Sequence, residues 1–261
     1  MIAVEGIREK FNSIGADVAF EDRRWKSQSA PVIDVVDDTF VIDTRYDPQA
    51  KVRVIDTRPE ERHLLLIVRS GKGEVSKYLM GHDERHWFVA AVPEQLPMKN
   101  VADAMEALKP ARVRNRQKRL GVRAKDRNRR RQKAFIRQGK WFFMPSQKLD
   151  TAGCVILRNE PIRRGRGKPH ICEELIRKDG YRVWVHGMHA PNGITQAAFK
   201  KLPRKVKETF GWSTAFVSDI VYVRGHVRHP DHKTICLKEW HRVLPNTENK
   251  ARAFRHLNFL D

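Results

Sequence analysis

Eleven histidines are many for a chain of 261 residues, and they cluster. His82 and His86 stand in Gly81-His-Asp-Glu-Arg-His-Trp, His186 and His189 flank Gly187-Met188, and His226, His229, His232 and His241 follow near the carboxy terminus. A neutral imidazole ligates metals and exchanges protons near neutral pH, so such clusters point to metal or acid–base chemistry. His226 and Arg228 share one face of a strand, while His229 and His232 lie in the turn Arg228-His-Pro-Asp-His, where imidazoles brought together can bind a metal or contact phosphate. The Gly81 segment lacks the H-E-x-x-H order of a zinc protease helix, and it reads as a turn running into the strand core Trp87-Phe88.

Asp231-His232, then Asn246, then His256 resembles the HNH, or ββα-metal, nuclease pattern, with separations of 14 and 10 residues. In that family a hairpin His activates water, an Asn orients it, and a helical His or Asn binds the metal. The resemblance implies His232 as general base, Asn246 as its orienting partner, and Asp231 with His256 as ligands of a divalent metal, Mg²⁺ or Mn²⁺. The Cys pairs that brace many such domains are absent, since Cys154, Cys172 and Cys236 form no C-x-x-C. Three unpaired cysteines read as reduced thiols. No Walker A loop, nucleophile elbow or Rossmann fingerprint is present.

The second chemical signal is charge. The chain carries 52 Lys and Arg against 31 Asp and Glu, a net +21, and +14 of it falls within residues 109–140. Arg112, Arg114, Arg116, Lys118, Arg119, Arg123, Lys125, Arg127, Arg129, Arg130, Arg131 and Lys133 crowd a Pro-free stretch of good helix formers whose weak point is Gly121. A helix charged on nearly every side repels itself unless an anionic surface neutralises it, and phosphate is such a surface. Arg outnumbers Lys by ten to five there. Guanidinium binds phosphate bidentately and stacks on exposed bases, which favours RNA slightly over DNA. Arg163, Arg164, Arg166 and Lys168, interleaved with two glycines, form a second candidate phosphate contact.

These residues need elements to hold them. Short apolar runs at Val52–Asp56, His63–Arg69, Val75–Met80 and His86–Val92, with Ser70-Gly-Lys-Gly as a hairpin turn, predict a small antiparallel sheet behind a polar lead-in. A helix over 100–109 follows, with Asn100 as its cap. Beyond the basic segment the expected elements are an aromatic strand at 140–144, a helix over 170–178 and a strand at 181–186. A helical stretch from Thr195, a long hairpin at 220–243 and a helix from Thr247 complete the reading. The predicted fold class is α+β: two small mixed lobes with antiparallel sheets, 1–108 (net negative) and 141–261, joined by an Arg-rich helical segment, 109–140.

The functional expectation is a nucleic-acid-binding protein, possessing ribonucleoprotein character, that grips the phosphate backbone through an Arg-rich helix. A metal-dependent endonuclease or phosphodiesterase is the alternative, which leaves open whether the chain is an enzyme. A third reading is a binder of an acidic protein or an anionic membrane surface. No apolar run approaches the ~20 residues of a membrane span, and the first residues lack the pattern of a secretory or organellar leader, so a cytoplasmic location is expected.

Overall fold

A computed structural model describes residues 4–20, 31–94, 98–164 and 168–251. It opens with helix α1 (Val4–Ser13) and strands β1 (Asp17–Phe20), β2 (Val32–Val36) and β3 (Thr39–Asp43), which form a three-stranded sheet in the order β1-β3-β2. The polar lead-in expected here is therefore a folded layer. Four strands follow, β4 (Lys51–Arg58), β5 (His63–Arg69), β6 (Val75–Asp83) and β7 (His86–Ala91), paired in sequence order as an antiparallel meander.

The run Leu64-Leu-Leu-Ile-Val is apolar on every residue because β5 is covered on both faces. Leu64, Leu66 and Val68 pack with Phe11, Phe40, Met80, Trp87 and Val89 toward α1 and the first sheet. Leu65, Leu79, Ala90 and Val92 point the other way, onto Val101, Ala104 and Leu108 of helix α2 (Val101–Leu108). Side chains alternate with a period of two, so one strand serves two cores. Asn100 caps α2 by accepting from the Asp103 amide at 2.9 Å.

Helix α3 (Ala111–Arg119) is the only helical part of the long basic run apart from a 3₁₀ turn at Ala124–Asp126. Gly121, at φ +57°, closes a Schellman motif in which the Val122 amide bonds the Gln117 carbonyl and the Gly121 amide bonds that of Lys118. The chain then turns into β8 (Arg131–Gln132) and β9 (Phe135–Gln138). Val113, Val122, Ala134 and Phe135 bury together against Phe142, an apolar set whose members lie on no single helix face.

The remaining strands are β10 (Trp141–Pro145), β11 (Leu157–Ile162), β12 (His170–His186) and β13 (Ala190–Thr195), then β14 (Ser213–His229) and β15 (His232–Pro245). Short helices α4 (Gln196–Lys200) and α5 (Arg204–Lys207) precede β14. One eight-stranded sheet runs β11-β12-β14-β15-β10-β9-β8, with β13 on β12. Residues 170–178, expected as a helix, begin the 17-residue β12, held between β11 and β14. A register shift between Cys172 and Glu174 breaks the period-two alternation that would have marked a strand.

The α+β class with a helical joiner is thus overturned. Strands make up 48% of the structure and helical residues 20%, in large antiparallel sheets with five short α-helices among the described residues. No helix among the described residues is long and apolar enough to cross a membrane, which leaves spanning by strands untouched.

Candidate functional site

The basic segment divides into two populations. Arg112, Lys118, Arg119, Arg123, Lys125, Arg129, Arg131 and Lys133 are exposed, as are Arg163 and Lys168. Arg114, Arg116, Arg127, Arg130 and Arg164 are half-buried, and Arg166 lies outside the described residues. The half-buried members, except Arg116, donate to backbone or acidic partners. Arg114 donates to the carbonyls of Glu106 and Lys109 at the end of α2, and Arg127 to that of Val122. Arg130 pairs with Asp83 and with Glu84, while Arg137 reaches Asp83 at 3.3 Å.

The Arg127 carbonyl is a hub of this scaffold, accepting from Lys109 Nζ at 2.8 Å, Gln117 Nε2 at 2.7 Å and Gln132 Nε2 at 2.9 Å. Lys109 is buried, and its ammonium also donates to Glu106 and to Asn128 Oδ1. Burial lowers its pKa, opposed by Glu106. Burial, reinforced by Arg137, brings Arg130 down to about 10, so it stays charged at neutral pH.

These groups wall a cleft of about 440 Å³ between the β6–β7 turn, the end of α2 and the β14–β15 turn. Lys109, Lys125, Arg129, Arg130, Arg137 and Lys140 line it, against the carboxylates Glu61 and Asp83. Cations outnumber carboxylates on its walls, and four of the six, Lys109, Arg130, Arg137 and Lys140, pair with Glu106, Asp83, Glu84 and Glu248.

His232 and Asn246 both line this cleft, although the strand β15 separates them in sequence. The Asn246 amide donates to the Lys140 carbonyl at 2.8 Å, and its side-chain oxygen accepts from Arg164 and the Glu248 amide. Glu248, fully buried, pairs with Lys140 at 3.2 Å and Arg164 at 3.3 Å. Asn246 therefore holds an ionic cluster in place, and no hydrogen bond to His232 is formed among its described contacts. Asp231 sits in the turn and pairs with Lys168 at 2.9 Å and His86 at 3.7 Å. Partial burial acts most strongly on Asp231 and would raise its pKa, but Lys168 and the neighbouring histidines together hold it below the usual carboxylate range. His256 lies outside the described residues, and the described chain after Asn246 forms a 3₁₀ turn, Glu248–Lys250.

His232 has closer company than the HNH pattern supplies. Its ring lies 4.7 Å, centroid to centroid, from His229 and 5.7 Å from His170, and His170 lies 4.1 Å from His229. All three are buried. Neither His170 nitrogen makes a hydrogen bond, at a desolvation cost of about 1–3 kcal/mol for each orphaned polar group. Burial, then the adjacent His229 and His232, push its pKa down to about 3, so the ring is neutral. Sequence reasoning missed His170, which it placed on a helix. The β12–β14 pairing that brings it to the turn carries no local signal. It also passed over the cations of α4 and α5, Lys200, Lys201, Arg204 and Lys205, which are exposed at the far end of β12 and β14.

No family model matches this chain, and neither a curated protein nor a solved structure matches it at a significant level.

Proposed function

We propose that the protein binds nucleic acid, RNA ahead of DNA, through the exposed cations of residues 112–133 together with Arg163 and Lys168. The observation that carries this reading is the sorting of the basic segment. Its apolar residues and one set of arginines are spent on an internal scaffold, and ten of the sixteen candidate cations remain at the surface. A segment serving solubility alone needs no such scaffold. The inward turn of Val113, Val122 and Phe135 also removes the apolar face that an interfacial membrane helix buries. An acidic partner is satisfied in part within the chain itself, where Asp83 and Glu84 of the net-negative block take Arg130 and Arg137. We place the activity in the cytoplasm, in a ribonucleoprotein setting.

The test is titration of labelled single-stranded RNA and duplex DNA at three salt concentrations. Log affinity falls linearly with log salt, at about −0.7 per neutralised phosphate for single strands and −0.9 for duplex DNA. Binding that ignores salt, or no binding to either polymer, refutes the proposal.

A metal-dependent phosphodiesterase is the second reading, favoured by one observation: His232 shares the cleft with six cations. Cleavage needs an activated water beside a phosphate whose developing charge is offset. Under this reading His232→Ala abolishes divalent-metal-dependent cleavage of RNA or DNA and leaves binding intact.

A further inference from the structure

Strand register, not sequence spacing, assembles the three histidines. β12 pairs with β14 so that Ile171 stands opposite Arg228, which sets His170 beside His229, and the β14–β15 turn sets His229 opposite His232. One ligand atom from each lies within 4.8 Å of the others. We propose that His170, His229 and His232 form a binding site for a transition-metal ion of the Zn²⁺ class. The proposal does not depend on nucleic-acid binding.

Three features support it. His170 is 5% exposed, and both of its nitrogens lack a hydrogen-bond partner; a metal bond would satisfy one of the two. The donor set is nitrogen only, which selects Zn²⁺, Co²⁺, Ni²⁺ or Cu²⁺ over the oxygen-seeking Mg²⁺ and Mn²⁺. The other ring nitrogens already face partners of the kind that orient metal-bound imidazoles: Glu84 Oε2 lies 3.6 Å from His232 Nδ1, and the Lys168 carbonyl 3.3 Å from His229 Nε2. That geometry points to His232 Nε2 and His229 Nδ1 as ligand atoms, the latter exchanging its 3.1 Å contact with the Asp231 amide for the metal.

Gly139 packs against the His232 ring and leaves room for it only because it carries no side chain. At φ +53° Gly139 lies so close that a Cβ would stand 2.6 Å from His232 Nε2. A tetrahedral ion with Zn–N bonds of about 2.0–2.1 Å sets its nitrogens about 3.3 Å apart. The trio therefore closes by at most about 1.5 Å, within the reach of side-chain rotation. Three imidazoles leave the fourth position of such an ion to water or a ligand oxygen.

The experiment titrates the EDTA-stripped, dialysed full-length protein with Co²⁺ and then Zn²⁺, and records X-ray absorption of the Zn²⁺-loaded form. The expected result is one Co²⁺ per chain with tetrahedral visible bands, displacement by Zn²⁺, and a first shell containing three imidazoles. His170→Ala and His232→Ala each weaken binding by more than the roughly 10–100-fold that loss of an outer partner costs. His82→Ala and His86→Ala, whose rings lie outside the trio, bind as the wild type does. The wild-type absorption spectrum decides the matter even if a variant fails to fold. A first shell with fewer than three imidazoles, or no stoichiometric uptake, overturns the proposal.

Discussion

Replacing Asp83 by Asn separates the two populations of basic residues. Asp83 is 8% exposed and takes both Arg130 and Arg137, whose side chains are 34% and 23% exposed. Removing one partner of a fully buried ion pair costs about 3–5 kcal/mol, and an exposed pair is worth about 0–1. Here Arg130 keeps Glu84, Asn retains the shape and one acceptor, and solvent reaches both guanidiniums, so the expected loss is about 2 kcal/mol. Arg129→Ala is the control, because its side chain is 69% exposed and its partner Asp126 keeps Arg123 at 3.0 Å. It should change stability by less than about 0.5 kcal/mol. Urea unfolding followed by tryptophan fluorescence measures both, and RNA anisotropy gives the converse ranking: Arg129→Ala weakens binding, while folded Asp83→Asn binds as well as the wild type. Equal stability losses, or an Asp83→Asn cost below about 0.5 kcal/mol, would refute the division into scaffold and contact residues.

Changing Arg123, Arg129 and Arg131 together to Ala should make the RNA salt slope shallower by about 2, read by the same anisotropy titration. Gly121→Ala forces an L side chain into the left-handed region and should cost about 1 kcal/mol in the urea midpoint analysis, with no gain of helix in the circular dichroism spectrum. Burial holds the His63 and His241 imidazoles below their ordinary 6.5, so their contribution to stability is complete above that pH and is lost as pH falls beneath it. Urea midpoints between pH 7.5 and 5 should fall accordingly, by up to about 1.4 kcal/mol per pH unit for each ring, and His241→Gln should flatten the slope. Native thiol labelling should modify exposed Cys236 first and Cys154 next, while Cys172, buried and pushed up to about 12 by burial, reacts only on unfolding.

The meander β4–β7 was legible because Leu64–Val68 and its neighbours are short apolar runs, and the turn at 70–73 punctuates them. The hairpin β14–β15 was legible for the same reason. The first sheet was not, since β2 carries Asp34 and β3 ends in Asp43, both buried, and acids at core positions disguise short strands as polar chain. In the basic segment, helix propensity summed over many arginines outweighed one glycine on paper. In the structure the Schellman closure at Gly121 and the burial of Val122 and Phe135 win, because tertiary packing overrides propensity. The candidate cations themselves were legible from composition, but which of them face outward was not. That depends on Asp83, Glu84 and Glu248, each remote in sequence from the arginine it holds. His170 was hidden for the same reason, as its neighbours His229 and His232 reach it only through strand pairing.

Photo-cross-linking to 4-thiouridine RNA with mapping of the modified peptides measures directly where the polymer lies. Adducts should concentrate in peptides spanning 112–133 and at Arg163 and Lys168, and should disappear from the former in the Arg123, Arg129 and Arg131 triple variant. Adducts confined to the cations of α4 and α5 at the opposite end of β12 and β14, or spread evenly over the surface, would contradict this placement.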